Sequence, residues 1–218
     1  MLRKQSVEIT LRWLPDSPLH VGSGRKGGGF LDHYLVRDSS GRPMIPGSTV
    51  KGRVRAYTLM AYRTLGGTGH REGEPCGCPV CRLFGSPGAS PGSLVFGDLR
   101  LEAGEGEGVL VKAAVAIDRY TRRPRENHLL FAEQAWAPAD AGAAAFAGLV
   151  EGFVAGNSDG VGPEELLGLL GTGIRLVRAL GWSKSRGLGH GRFAFTLRVD
   201  GQPVSDEEWR RWAEAWES

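Results

Sequence analysis

Ile45-Pro46-Gly47-Ser48-Thr49-Val50-Lys51-Gly52-Arg53-Val54-Arg55 has the composition of a helix start that carries three cations. Ser48 is a capping residue type, and Val50, Val54, Tyr57 and Ala61 recur at helical spacing. A helix is therefore predicted, ending at Gly66-Gly67. Free N–H groups at its start, with Ser48, Lys51, Arg53 and Arg55 nearby, suit a phosphate. An ordinary basic helix has the same composition.

Before this helix, Val7, Ile9, Leu11 and Trp13 alternate with Glu8, Thr10 and Arg12, the period of a half-buried strand. Pro15-Asp16-Ser17-Pro18 breaks it. A glycine-rich stretch follows at 22–29 and contains Arg25 and Lys26. After the helix, strands are predicted at Leu94–Phe96 and at 109–117. Residues 119–134 show no clear period and read as an exposed hairpin or loop. The alanine-rich stretch 139–155 is expected to be partly strand near 150–153. Gly162-Pro163-Glu164-Glu165 opens a second helix, striped by Leu166, Leu167, Leu170, Ile174, Val177 and Leu180 and stopped at Gly181. A clean strand runs through Phe193, Phe195, Leu197 and Val199. Ser205 and Glu208 form a capping box for a last helix, where Trp209, Trp212 and Trp216 share a packing face. Strand, helix, strands, helix, strand suits one α+β domain over 1–218, ferredoxin-like with insertions.

Composition narrows the function. The 218 residues, 41% hydrophobic, suffice for a core and exclude a disordered chain. The 34 glycines are twice the usual share of roughly 7% and have no fixed period, which excludes collagen. No apolar run approaches a membrane span, and Met1–Ser6 lacks the apolar core of a signal peptide. A cytoplasmic protein without membrane contact is expected. Neither a dinucleotide fingerprint nor a Walker sequence is present. The net charge is only +3, but it is uneven. Arg119, Arg122, Arg123 and Arg125 fall within seven residues, and eight cations between 25 and 63 face two acids. Such stretches are either a polyanion footprint or solvated faces.

Two loops bear on chemistry. Residues 181–191 alternate Gly187, Gly189 and Gly191 with small or basic neighbours, including Ser183, Lys184, Ser185 and Arg186. They read equally as a phosphate-binding loop or a tight helix-to-strand turn. Cys76-x-Cys78-x-x-Cys81, with His70 upstream, has the donors of a closed tetrahedral zinc site. Its surroundings, 66–92, are too poor in apolar residues to fold unaided, so structural Zn2+ is expected to order this insertion.

Together these segments resemble a known family. Ile45-Pro46-Gly47-Ser48-Thr49-Val50-Lys51-Gly52 resembles the "IPGSSLKG" signature of the RAMP proteins of CRISPR systems. The Gly181–Gly191 loop resembles their "G-x-S-x-S-R-G-x-G" loop, and Arg82-Leu83-Phe84-Gly85 their "RLFG". Asp32-His33-Tyr34-Leu35-Val36-Arg37-Asp38 is similar to a "D-x-P-V-I-R-D" loop, with Tyr34 where proline is usual. Ile117-Asp118-Arg119 resembles an "I-D-R-x-T" segment. The nearest likeness is to the Cas seven group, the repeated, Csm-type backbone subunit of type III effector complexes.

The resemblance implies a modified ferredoxin-like (RRM-like) palm with a β-hairpin thumb, placed at 118–136. It implies copies stacked with related RAMP subunits along a crRNA, beside other type III effector subunits. Target RNA would be cut at regular intervals by a loop aspartate with Mg2+ or Mn2+, and Asp32 matches that residue. Asp38 reads instead as a turn residue. Base pairing would supply specificity, so the protein reads backbone and shape. In the thumb, the four arginines would meet phosphates and Leu129, Leu130 and Phe131 would wedge against bases. A solvated basic loop is the plainer reading of that segment. Two alternatives remain within the resemblance: a non-catalytic crRNA-binding scaffold, and a guide-processing ribonuclease using a histidine such as His20.

Overall fold

The computed structural model describes residues 4–24, 30–88, 91–102, 108–136, 146–156 and 160–216. Strand β1 (Lys4–Pro15) follows the alternation of its sequence. Val7, Ile9, Leu11 and Trp13 are buried, while Glu8, Thr10 and Arg12 are half-exposed. It lies at the centre of an antiparallel sheet. On one side β7 (Phe146–Ala155) pairs with it from Lys4 opposite Ala155 to Trp13 opposite Phe146. On the other, β8 (Gly191–Val199) pairs from Val7 opposite Val199 to Pro15 opposite Gly191.

The short strands β2 (Met44–Ile45), β3 (Leu94–Phe96), β4 (Leu99–Leu101) and β9 (Gln202–Val204) complete this sheet. Its order is β2-β4-β7-β1-β8-β9, with β3 also on β7. Helices α1 (Gly47–Thr64), α3 (Pro163–Leu176) and α4 (Asp206–Glu214) pack together, α3 touching both others. Their apolar faces join one core around Trp13, Leu11, Phe146, Leu169 and Ile174. The molecule is thus mixed α+β with a mostly antiparallel sheet. No helix among the described residues is long and apolar enough to cross a membrane.

The helix ends depart from expectation in two places. Ser48 does not cap α1. Pro46 occupies the cap position, and Asp98 Oδ1, from the β3–β4 connection, accepts the Gly47 N–H at 2.8 Å. A carboxylate at a helix N-terminus is favourable, and here it comes from far along the chain. Helix α3 stops at Leu176, not near Gly181. Val177 turns extended (φ −67°, ψ 117°), and Ala179 then bridges to His190, while Val177 and Leu180 stay buried. Ser205 caps α4 as expected, its Oγ accepting the Glu208 N–H at 3.2 Å. The tryptophan face packs: Trp209 is buried, and Trp216 Nε1 donates to the Glu165 carbonyl at 2.8 Å.

A second, two-stranded sheet stands apart. β5 (Gly108–Ile117) and β6 (Pro124–Trp136) pair antiparallel, with an irregularity between Val115 and Ile117. The side chains of β5 are almost all exposed, and only the foot of β6, Ala132 to Ala135, is buried. This ribbon unites the predicted strand at 109–117 with the stretch that had shown no period. A ribbon wet on both faces needs no alternation.

Candidate nucleic-acid interface and metal centre

The loop that carries Asp32 is laid along the foot of the ribbon. The Asp32 N–H donates to the Phe131 carbonyl at 3.0 Å, and Asp32 Oδ2 accepts the Phe131 N–H at 2.8 Å. His33 N–H shares the Phe131 carbonyl at 3.2 Å, and Glu133 N–H donates to the His33 carbonyl at 3.1 Å. Leu19 and Ala135 exchange two backbone bonds of 2.8 Å beside them. These bonds fix the direction of an exposed carboxylate. It opens into a cleft of about 840 Å³ shared with the ribbon, Trp182 and Arg186. Asp38 does something different. Its Oδ1 accepts from the Ser40 hydroxyl (2.6 Å) and from the N–H groups of Ser40 (2.9 Å) and Arg42 (3.0 Å). The Ser40 hydroxyl, then the Arg42 N–H, holds its carboxyl below the usual range. It is the turn residue that its sequence suggested.

Glu133 supports this loop from beneath and carries no sequence signal of doing so. It is 8% exposed. Its Oε2 accepts the buried Leu35 N–H at 2.9 Å, and its Oε1 pairs with Arg37 at 2.9 Å. Its carbonyl lies 2.6 Å from His20 Nδ1. His20, 2% exposed, and His33 pack against Trp182 at ring-centroid distances of 5.6 and 5.5 Å.

The fold brings the two motif loops together. A recess of about 400 Å³ is lined by Thr49 and Arg53 of α1 and by Gly181, Ser183 and Lys184. Arg53 Nε donates to the Ala179 carbonyl at 3.2 Å, and Lys184 Nζ to the Gly181 carbonyl at 2.7 Å. Burial, then the nearby Arg53 charge, lowers the Lys184 ammonium from its usual pKa. Ser48, Ser185, Arg186 and Gly187 are exposed and Lys51 half-exposed. Arg55 points elsewhere. It donates to the Gly85 carbonyl at 2.9 Å and lies 3.8 Å from Cys81 Sγ. Arg25 and Lys26 lie outside the described residues.

Within the loop, Lys184–Arg186 form a 3-10 turn flanked by Ser183 (φ 58°) and Gly187 (φ 88°). Gly189 (φ 65°) is a packing residue: a Cβ there would stand 1.9 Å from the Leu180 carbonyl oxygen. Its N–H is also engaged, by the Pro18 carbonyl at 2.7 Å. A Cβ on Gly187 would meet nothing within 4 Å. Arg119, Arg122, Arg123 and Arg125 are exposed around the ribbon tip, with Tyr120 98% exposed. Asp118 shapes that tip by accepting the N–H groups of Tyr120 and Thr121, both at 2.9 Å.

The cysteine insertion folds its four donors into one cluster. His70 Nδ1 lies 3.3, 3.6 and 3.7 Å from the sulfurs of Cys78, Cys81 and Cys76. Cys76 Sγ lies 3.5 Å from Cys78 Sγ and 3.2 Å from Cys81 Sγ. All four atoms fall within 4.8 Å of one another, a group able to hold a metal ion. Cys78 also accepts the Cys81 N–H at 3.4 Å at the start of α2 (Pro79–Phe84). Burial pushes the Cys81 thiol up to about 12, and it raises Cys78 as well. Burial opposes ionisation of Cys76 too, but backbone donors at Arg71 and Cys78 bring it down to about 6. Three crowded thiols that resist joint ionisation are what a dication relieves.

Comparison with known proteins agrees with the motifs. A family described as the RAMP superfamily matches residues 15–194. "CRISPR system Cms endoribonuclease Csm3" of Mycobacterium tuberculosis (strain ATCC 25618 / H37Rv) is 34% identical over 100 residues, 45% of this chain and 42% of that protein. The protein of the same name from Methanocaldococcus jannaschii is 35% identical over 79 residues, 32% of this chain and 30% of its relative. The matched segments thus span less than half of either relative.

Proposed function

The chain belongs to the RAMP superfamily, and on that premise we propose that it is a crRNA-binding, Csm-type backbone subunit of a type III CRISPR complex. In this role it stacks with further copies or related RAMP subunits, and it cleaves guide-complementary target RNA with Asp32. The sheet order β4-β7-β1-β8, with helices between β1 and β4 and between β7 and β8, is read as the modified ferredoxin-like palm. The β5–β6 ribbon is read as its thumb, and residues 66–92 as an insertion ordered by structural Zn2+.

The observation that carries the cleavage reading is the tie between Asp32 and Phe131. It holds one exposed carboxylate beside the ribbon, facing a cleft of about 840 Å³. Phe131 N–H occupies Oδ2 and sets the carboxylate's direction. Arg186, lining the same cleft, suits a phosphate there. Mg2+ or Mn2+ would supply charge neutralisation at the scissile phosphate. Among the described residues, the cysteine cluster is the one group of three or more metal donors, so RNA phosphate and water would complete a shell at Asp32. The histidine alternative finds less support, because His20 is buried against the Glu133 carbonyl.

The test is an assembled complex carrying guide RNA. Asp32→Ala is expected to abolish metal-dependent cutting of a matched target while guide loading stays intact. A wild-type complex that leaves a matched target whole would establish the scaffold reading instead. Cutting that survives Asp32→Ala would remove Asp32 from the chemistry.

A further inference from the structure

We infer that Trp182 is a stacking platform for a nucleobase of the RNA strand that passes Asp32, an inference that rests on the function proposed above. A single exposed aromatic is ordinary on a protein surface. Trp182 is 40% exposed, and its position is not ordinary. It lines both recesses of the site, the cleft with Asp32 and Arg186 and the recess with Arg53 and Lys184. A strand with its phosphates on the cations and a sugar near Asp32 must pass the indole.

The ring is also held in place. His33 lies against it at 5.5 Å with planes tilted by 41°, and His20 meets it edge-on at 5.6 Å and 70°. The Trp182 backbone N–H donates to the His20 carbonyl at 2.8 Å. The preceding Gly181 (φ 80°) passes so near that carbonyl that a Cβ would stand 2.2 Å from its oxygen. The next residue, Ser183, sits in the left-handed region. The indole therefore reaches the groove with little freedom left to lose on binding. An aromatic face beside a cationic groove is the pattern by which single strands are held without sequence preference, because every base has a π-face. That suits a protein whose specificity comes from the guide.

The other exposed aromatics have different surroundings. Phe30 packs on Phe131 at 4.1 Å, Phe153 lies under Lys4, and Tyr120 stands at the ribbon tip. None of these three lines a recess with both Arg53 and Lys184.

The test uses the full chain and a fluorescein-labelled single-stranded RNA, with binding read by anisotropy at low salt. Trp182→Leu is expected to weaken binding roughly 10- to 30-fold, as loss of one stacked base implies. Trp182→Phe, which keeps a π-face, is expected to stay within roughly threefold. An abasic strand of the same length should bind wild type and Trp182→Leu alike. Equal affinity of wild type and Trp182→Leu for base-bearing RNA overturns the inference. So does an equal loss on the abasic strand. 2-Aminopurine in the strand provides a measurement that needs no variant: its fluorescence should be quenched on binding wild type, and a bright bound strand also overturns the inference. Wild type that binds no RNA in any assay would overturn the nucleic-acid function itself, a separate outcome.

Discussion

Replacing Glu133 by alanine tests how the Asp32 loop is supported. The substitution leaves the buried Leu35 N–H without its acceptor, at a cost of about 1–3 kcal/mol. It also removes the partner of Arg37, whose side chain is 35% exposed; solvent screening limits that loss to about 1 kcal/mol. The sum is about 3 kcal/mol, which for a chain of this length lowers the melting temperature by roughly 6–12 °C. Glu133→Gln keeps an acceptor for Leu35 and gives up only the charge, so it should cost about 1 kcal/mol. Circular dichroism melts and urea midpoints of the two variants measure the difference. The backbone carbonyl of residue 133 still faces His20 in both, so the contrast isolates the carboxylate. An alanine variant that melts within 2 °C of wild type, taken as roughly 0.5–1 kcal/mol, refutes the buttress. Equal losses for glutamine and alanine would show that charge, not the Leu35 acceptor, carries the effect.

Two further predictions follow from the glycine loop and the cysteine cluster. Gly187→Ala meets open space and should cost only the left-handed backbone term, about 1–2 kcal/mol. Gly189→Ala must also move the Leu180 carbonyl and should cost at least about 3 kcal/mol by urea unfolding; equal midpoints for the two would contradict the packing described. Purified protein should carry about one zinc per chain. Chelation or Cys81→Ser should release it and open residues 66–92 to protease, with the far-ultraviolet spectrum of the main sheet retained. Metal-free protein whose insertion resists protease would remove zinc from the account.

What was legible in the chain is what depends on near neighbours. β1 could be read because one of its faces is buried and the other wet, which prints a period of two. α4 could be read because its cap lies three residues from its partner. The cysteine quartet and the Asp38 turn are equally local. The apolar stripe after Pro163 misled, since Val177 and Leu180 are buried from an extended chain as well as from a helix. Asp98 caps a helix 51 residues earlier, and Glu133 reaches Leu35 across 98 residues, so neither leaves a local mark. The ribbon's extent was hidden because both its faces are wet. The motif resemblance pointed to the segments around Arg53 and Lys184, but the sequence could not show that Arg55 turns to the cysteine insertion while Arg53 turns to the recess.

The bonds between Asp32 and β6 give the ribbon a mechanical meaning. β5 has ten residues and spans roughly 33 Å, and Phe131, to which the carboxylate is clipped, stands opposite Ala113, midway along it. From there to Ile117 is four residues, roughly 13 Å, so a tilt of about 10° moves the tip end only some 2 Å relative to the carboxylate. Acid and tip therefore behave as the two jaws of a caliper, their spacing fixed by strand pitch and not by the palm beneath. The arginine-rich tip is thereby held at a set distance from the carboxylate.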